Sequence, residues 1–297
     1  MILAAIDIGS NAARLLITEV IKEQDGQASF KKLNLLRVPL RLGFDVFASK
    51  QIGINKIEML KETMLSYKHL MQAYKVQSVK AFATSAMRDA ENADVIIKQI
   101  EAETGIKIEI ITGDKEAGLV YENHVAEKMD KDNSYLYVDV GGGSTEISFF
   151  TGGKATFQKS FNIGTIRLLQ NAVTDEQWEE LKDTLKQITK DHKDIVGIGS
   201  GGNINKVFSM SKRKDGKPLP ISLLKDYHRE LSAVSLKERI TQYDLRPDRA
   251  DVIVPALLIY LNTMRWAGAE EIYVPKIGLA DGVIKNMWQE IQEANPI

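Results

Sequence analysis

The sequence predicts an α/β fold built from two similar halves. Short apolar runs rich in β-favouring residues alternate with helix-length amphipathic segments. Two of those runs end in closely related wording, Asp7-Ile-Gly-Ser-Asn11 and Asp139-Val-Gly-Gly-Gly-Ser144, and a second β-favouring run follows each at once.

In chain order, Leu3 to Ile8 is a strand, the Gly-Ser-Asn stretch a tight turn, and Leu15 to Val20 the returning strand. Lys56 to Tyr74 reads as a helix with Ile57, Leu60, Met64 and Leu65 on one face. Val79 to Thr84 is a strand, Asp94 to Thr104 a helix stopped by Gly105, and Ile106 to Ile111 another strand. The pattern then restarts with strands at Tyr135 to Val140 and from Glu146 to Phe150. A helix follows, opened by a Thr174/Gln177 capping box and lined by Trp178, Leu181, Leu185 and Ile188. Ile195 to Ile198 leads into a third glycine turn, Gly199-Ser-Gly-Gly202. Asp251 to Met264 is an apolar helix, Glu271 to Val274 a strand, and Ala280 to Gln292 the last helix. A boundary near residue 120 divides the chain into 1–120 and 121–297, with the last helix free to pack back on the first domain.

The 297 residues suffice for two domains, each with its own core. Hydrophobic residues at 44% and charged residues at 27% suit a globular chain and not a disordered one. A net charge of -1 argues against a duplex nucleic-acid binder, which needs a strong basic field. It leaves open a small polyanion held by a local cluster of donors. The absence of cysteine rules out disulfides, a thiolate nucleophile and thiolate-bound zinc, and fits a reducing compartment. Met1 to Asn11 has no basic region ahead of its apolar run, and Asp7 interrupts that run, so it is not a signal peptide. No run of roughly 18 apolar residues predicts a membrane span. A cytoplasmic location is the expectation.

Candidate chemistry starts at the second loop. Gly141, Gly142 and Gly143 present backbone N–H groups without obstruction, and Ser144 and Thr145 add hydroxyls, a pattern suited to phosphoryl oxygens. Asp139 and Glu146 flank that loop. Their carboxylates would repel phosphate unless a hard cation lies between them, which predicts Mg2+ or another divalent cation. The first loop follows the same logic: Ser10 and Asn11 as phosphate donors, Asp7 as holder of a metal-bound water. Lys212-Arg213-Lys214 with Lys217 is a basic run that reads either as a solvated loop or as an attractor for a polyanion. His69, His124, His192 and His228 show no metal-ligand spacing.

These motifs together resemble the exopolyphosphatase/guanosine pentaphosphatase (Ppx/GppA) family. DIGSN at 7–11 and DVGGGSTE at 139–146 resemble its phosphate loops, and ATSAMRDA at 83–90 its Ala-Thr-x-x-x-Arg-x-Ala segment. ITGDKEAGLVY at 111–121 resembles the segment carrying its catalytic glutamate. LRPDRADVIVPALLI at 245–259 and IGLADGVI at 277–284 resemble its C-terminal domain. The resemblance implies two actin-like (ribonuclease H-like) domains, each a mixed central sheet flanked by helices, with an interdomain cleft. It implies that Glu116 is the general base, Asp139 and Glu146 the metal-associated acids, and Arg88 and Arg14 phosphate-contacting cations. On the residues alone, Glu116 is an acid in the first turn of a helix, and Arg88 with Asp89 a surface ion pair.

Three positions depart from the family pattern. Lys115 stands where a glutamate often precedes the base, Ala12 where a serine often follows the first loop, and Gly202-Asn203 where a Gly-Thr-like ending is common. The long form's additional helical domain has no counterpart here, so the chain reads as a short, two-domain form. The resemblance therefore implies release of terminal orthophosphate from inorganic polyphosphate or guanosine pentaphosphate, with a homodimer as the expected assembly. A kinase of the same superfamily and a non-catalytic sensor of polyphosphate or alarmone are the competing classes.

Overall fold

The computed structural model describes residues 1–23, 28–121, 130, 132–275 and 278–294. The chain divides into two compact units, 1–123 together with 279–297, and 124–278. Residues 122–129, which follow the predicted boundary, and Ile277, the first residue of the last motif, lie outside the described residues.

In the first unit, β1 (Ile2–Ile8), β2 (Ala13–Lys22) and β3 (Ala28–Val38) run as an antiparallel meander. Helices α1 (Gly43–Ser49) and α2 (Ile54–Ala73) come next. Then β4 (Ser78–Ala83), α3 (Ser85–Asp89), α4 (Ala93–Thr104), β5 (Ile108–Ile110) and α5 (Gly113–Tyr121) follow. The sheet order is β3-β2-β1-β4-β5, with β4 parallel to β1 and β5 parallel to β4.

The second unit repeats the plan. Strands β6 (Tyr135–Val140), β7 (Thr145–Thr151) and β8 (Lys154–Phe161) form the meander. Helices α6 (Thr165–Leu169) and α7 (Asp175–Thr189) lead to β9 (Val196–Ser200), parallel to β6, and α8 (Gly202–Met210). After β10 (Leu219–Pro220) come α9 (Ile221–Ala233), α10 (Leu236–Gln242), α11 (Pro247–Ala250), α12 (Ile253–Ala267) and β11 (Glu271–Tyr273). The sheet order is β10-β11-β9-β6-β7-β8. Helix α13 (Leu279–Ala294) belongs to the first unit and packs on β1, β2 and α5. Two mixed sheets flanked by helices, each with an antiparallel meander followed by parallel strands, is the predicted actin-like arrangement.

Each unit has its own core. Ile6, Ile8, Leu15, Leu60, Met64 and Tyr67 are among the buried residues of the first, and Leu136, Val138, Ile147, Leu181, Leu185 and Tyr260 among those of the second. The α7 capping box forms as predicted: Thr174 accepts from the Gln177 N–H, and the Gln177 side chain accepts from the Thr174 N–H.

Three strands lie beyond what the sequence predicts: β3, β8 and the two-residue β10. β8 is missed although Gly152 and Gly153, both at positive φ, make the two-residue turn that favours a hairpin with β7. β3 is missed because it is an edge strand of mixed polarity with no clean alternation. Among the described residues no helix is long and apolar enough to cross a membrane.

Candidate functional site

The second glycine loop is shaped by the chain that returns beneath it. The Gly141 carbonyl accepts from the Thr165 N–H at 3.1 Å. The Gly142 carbonyl accepts from the Ile166 and Arg167 N–H groups at 2.8 and 3.3 Å, and the Gly143 carbonyl from Arg167 Nε at 2.6 Å. In a planar trans peptide the carbonyl and the following N–H point in opposite directions. Three consecutive carbonyls held by α6 therefore turn the N–H groups of Gly142, Gly143 and Ser144 to the other side. Among the described residues those three amides donate to no protein acceptor. The result is a run of three backbone donors on one side of the loop, an arrangement suited to phosphoryl oxygens. Gly164 permits it: a β-carbon there would lie 2.4 Å from the Gly142 oxygen and 2.5 Å from the carbonyl carbons of Gly142 and Gly143.

Asp139 and Glu146 are directly opposed partners across β6 and β7, so both carboxylates project from one face. Ser160, which pairs with Glu146 on β8, donates to Glu146 Oε1 at 2.8 Å, and Ser200 donates to Asp139 Oδ2 at 3.2 Å. Glu146 is 3% exposed. Two supported carboxylates side by side repel one another and gain from a cation between them. A pair of carboxylates is the donor type that a hard divalent cation takes. Among the described residues no group of three or more His, Asp or Glu side chains could hold a metal by itself.

The third glycine turn adjoins the same acids. Tyr260 on α12 donates to the Ser200 carbonyl within it. Burial, reinforced by the Asp139 carboxylate, pushes the Tyr260 hydroxyl well above the usual phenol range, so it remains a donor. The Arg249 guanidinium lies across Gly202, where a β-carbon would come within 2.7 and 2.8 Å of its terminal nitrogens, and its Nη1 donates to Asn203 Oδ1 at 3.4 Å.

In the first unit, Asp7 is the penultimate residue of β1, 5% exposed, and its Oδ2 takes a bond from Arg14 Nη1 at 2.6 Å. The turn closes through Gly9 N–H to Ala12 O at 3.0 Å, and residues 41–43 wrap it, with Arg41 N–H donating to Asn11 O and Gly43 N–H to Ser10 O. Ser10 Oγ and Ser85 Oγ share a hydrogen bond of 2.8 Å. Arg88 on α3 donates from Nη1 to the Ile111 carbonyl at 2.8 Å. Glu116 then sits in the first turn of α5, its N–H bonded to Thr112 O. One line of contacts thus runs from the first loop through α3 to the helix that carries Glu116.

Several predicted residues take more specific positions than the sequence reading gave them. Thr145 is fully buried and its hydroxyl donates to Ile163 O at 2.6 Å, bracing the turn. The Gly141 N–H closes the turn onto Ser144 O at 2.9 Å. Asp7 and Arg14 face each other. Lys115 Nζ pairs with Glu109 Oε1 at 2.5 Å and lies over the Phe82 ring. The sequence reading misses Gly164 and Arg167, which build the loop, and Ser160 and Ser200, which hold its acids. Recognising the Gly152-Gly153 hairpin would have set Ser160 opposite Glu146; no local signal marks the other three.

Comparison with known proteins places this geometry in context. The family model described as the Ppx/GppA phosphatase family matches residues 20–290. A guanosine-5'-triphosphate,3'-diphosphate pyrophosphatase of Vibrio parahaemolyticus is 24% identical, matching 98% of this chain and 60% of its own length. Exopolyphosphatase 2 of Mycobacterium tuberculosis is 25% identical over 94% of this chain and 96% of that one. The crystal structure of an Aquifex aeolicus member of the Ppx/GppA family has a TM-score of 0.74 and 28% identity, covering 100% of this chain and 99% of the other. Several curated relatives are longer, and the chain spans 44% to 60% of their length.

Proposed function

The chain belongs to the Ppx/GppA phosphatase family, and on that premise we propose that it is an exopolyphosphatase, releasing terminal orthophosphate from inorganic polyphosphate. The observation that carries this reading is the run of three amides at Gly142, Gly143 and Ser144, set beside two supported carboxylates. Those amides receive the oxygens of the terminal phosphoryl group. Glu116 accepts the proton of the attacking water. Asp139 and Glu146 hold a divalent cation, which when bound neutralises charge on the phosphate oxygens.

Glu116→Gln keeps the shape of the side chain and removes the base. Its kcat on polyphosphate is expected to fall by about 10²–10⁴ with KM little changed. Retention of full activity would remove Glu116 from the mechanism. Activity should vanish on chelation and return with Mg2+; hydrolysis undiminished by chelator would sink the metal assignment. Guanosine pentaphosphate presents the same terminal group, and its pyrophosphatase is among the relatives, so kcat/KM is measured on both substrates side by side. A higher value on guanosine pentaphosphate replaces the first reading with the second. Hydrolysis of neither removes both.

A further inference from the structure

We infer that Arg167 is a positioning residue for the phosphoryl cradle, setting the direction of the Ser144 N–H through the Gly143 carbonyl. The inference rests on the reading of that loop as the cradle and goes one step further. Of the three loop carbonyls turned toward α6, those of Gly141 and Gly142 are held by backbone N–H groups, which every residue type other than proline supplies. The Gly143 carbonyl accepts from a side chain, Arg167 Nε at 2.6 Å. The peptide plane between Gly143 and Ser144 is thus under the control of one replaceable group, and it carries the last amide of the cradle.

The setting of Arg167 suits this role. The residue is 7% exposed, in a short helix whose neighbours Ile166 and Leu168 are apolar. Burying a guanidinium is costly unless its hydrogen bonds offset the desolvation. An apolar side chain would fill the same space without that cost. Arginine also has the geometry this role requires, because its Nε–H points sideways from a planar, permanently charged group, a direction that a lysine ammonium does not reproduce. The charge lies behind the loop, where it adds to the attraction of the three amides for an anion. No step of the reaction passes through Arg167. It acts through the loop it holds.

The experiment compares wild type, Arg167→Met and Arg167→Lys, with Leu168→Ala as a packing control on the same helix. Inorganic phosphate is titrated while the amide resonances of Gly142, Gly143 and Ser144 are followed by ¹⁵N NMR, and kcat/KM on polyphosphate is measured in parallel. In wild type all three amides should shift together. In the Arg167 variants Gly142 and Gly143 should still respond while the Ser144 shift is lost, with kcat/KM lower by roughly ten- to a hundredfold. Leu168→Ala should lower the melting temperature and keep both the Ser144 response and kcat/KM. If Arg167→Met does not fold, Arg167→Lys decides alone on the same criteria. A Ser144 amide that responds as in wild type in a folded Arg167 variant overturns the inference, whatever the activity. If wild type itself shows neither amide shifts nor hydrolysis, the cradle reading fails and the inference falls with it.

Discussion

A β-carbon at position 164 would sit 2.4 Å from the Gly142 oxygen, inside any relaxed contact, so Gly164→Ala must push the glycine loop away from α6. The bonds from Thr165 and Ile166 to Gly141 and Gly142 would lengthen, and the three amides would lose their common direction. The expected cost is about 1–3 kcal/mol of stability, in the range of overpacked sites, with a larger relative loss in kcat/KM because the distortion falls on the donors themselves. Urea denaturation and steady-state kinetics on polyphosphate check both. A variant as stable and active as wild type would show that the loop tolerates displacement. The same scale explains why Thr145 differs from Ser144 although both carry hydroxyls. The β7 strand begins at Thr145, and its side chain turns inward to Ile163 O, whereas Ser144 still belongs to the loop.

At the level of elements, the position of Glu116 depends on how α5 begins. Ile111 N–H bonds to Ala83 O at the end of β4, and Ile111 O accepts from Arg88 on α3. Removing that guanidinium in Arg88→Met leaves the start of α5 held by fewer bonds. Faster amide hydrogen exchange across residues 112–117 is expected, with a fall in kcat beyond what loss of a phosphate contact alone gives. Exchange unchanged from wild type would mean that Arg88 acts on phosphate and not on the helix. Much at this scale is legible in the sequence, because α4, α7 and α12 carry periodicity, caps or long apolar runs and β1 and β6 end in recognisable turns. The short helix α6 is not legible. Its role depends on where its N–H groups and Arg167 meet a loop 24 residues earlier in the chain, and no local pattern encodes that meeting. The pairing of Ser200 with Asp139 is hidden for the same reason, since it follows from the parallel register of β6 and β9.

For the molecule as a whole, two buried phenols predict a weakness at alkaline pH. Tyr67 donates to Ala13 O beneath β2, and burial followed by the nearby Asp7 carboxylate pushes its hydroxyl well above the ordinary range. Tyr260 does the corresponding job in the second unit, raised by burial and then by Asp139. Below pH of about 10, the value for an exposed tyrosine, both groups are protonated in the folded and unfolded chain and their contribution is fully present. Above it the unfolded chain releases protons that the folded chain keeps, so stability falls as pH rises, by up to about 1.4 kcal/mol per pH unit for each group. Tyr260→Phe removes one of the two. It should be less stable at neutral pH by about 1–3 kcal/mol, because the buried Ser200 carbonyl loses its donor, yet lose stability less steeply above pH 10. Urea unfolding from pH 7 to 11 tests this directly. Equal alkaline slopes in wild type and Tyr260→Phe would mean that the Tyr260 hydroxyl titrates like an exposed phenol, and the account of its burial beside Asp139 would be wrong.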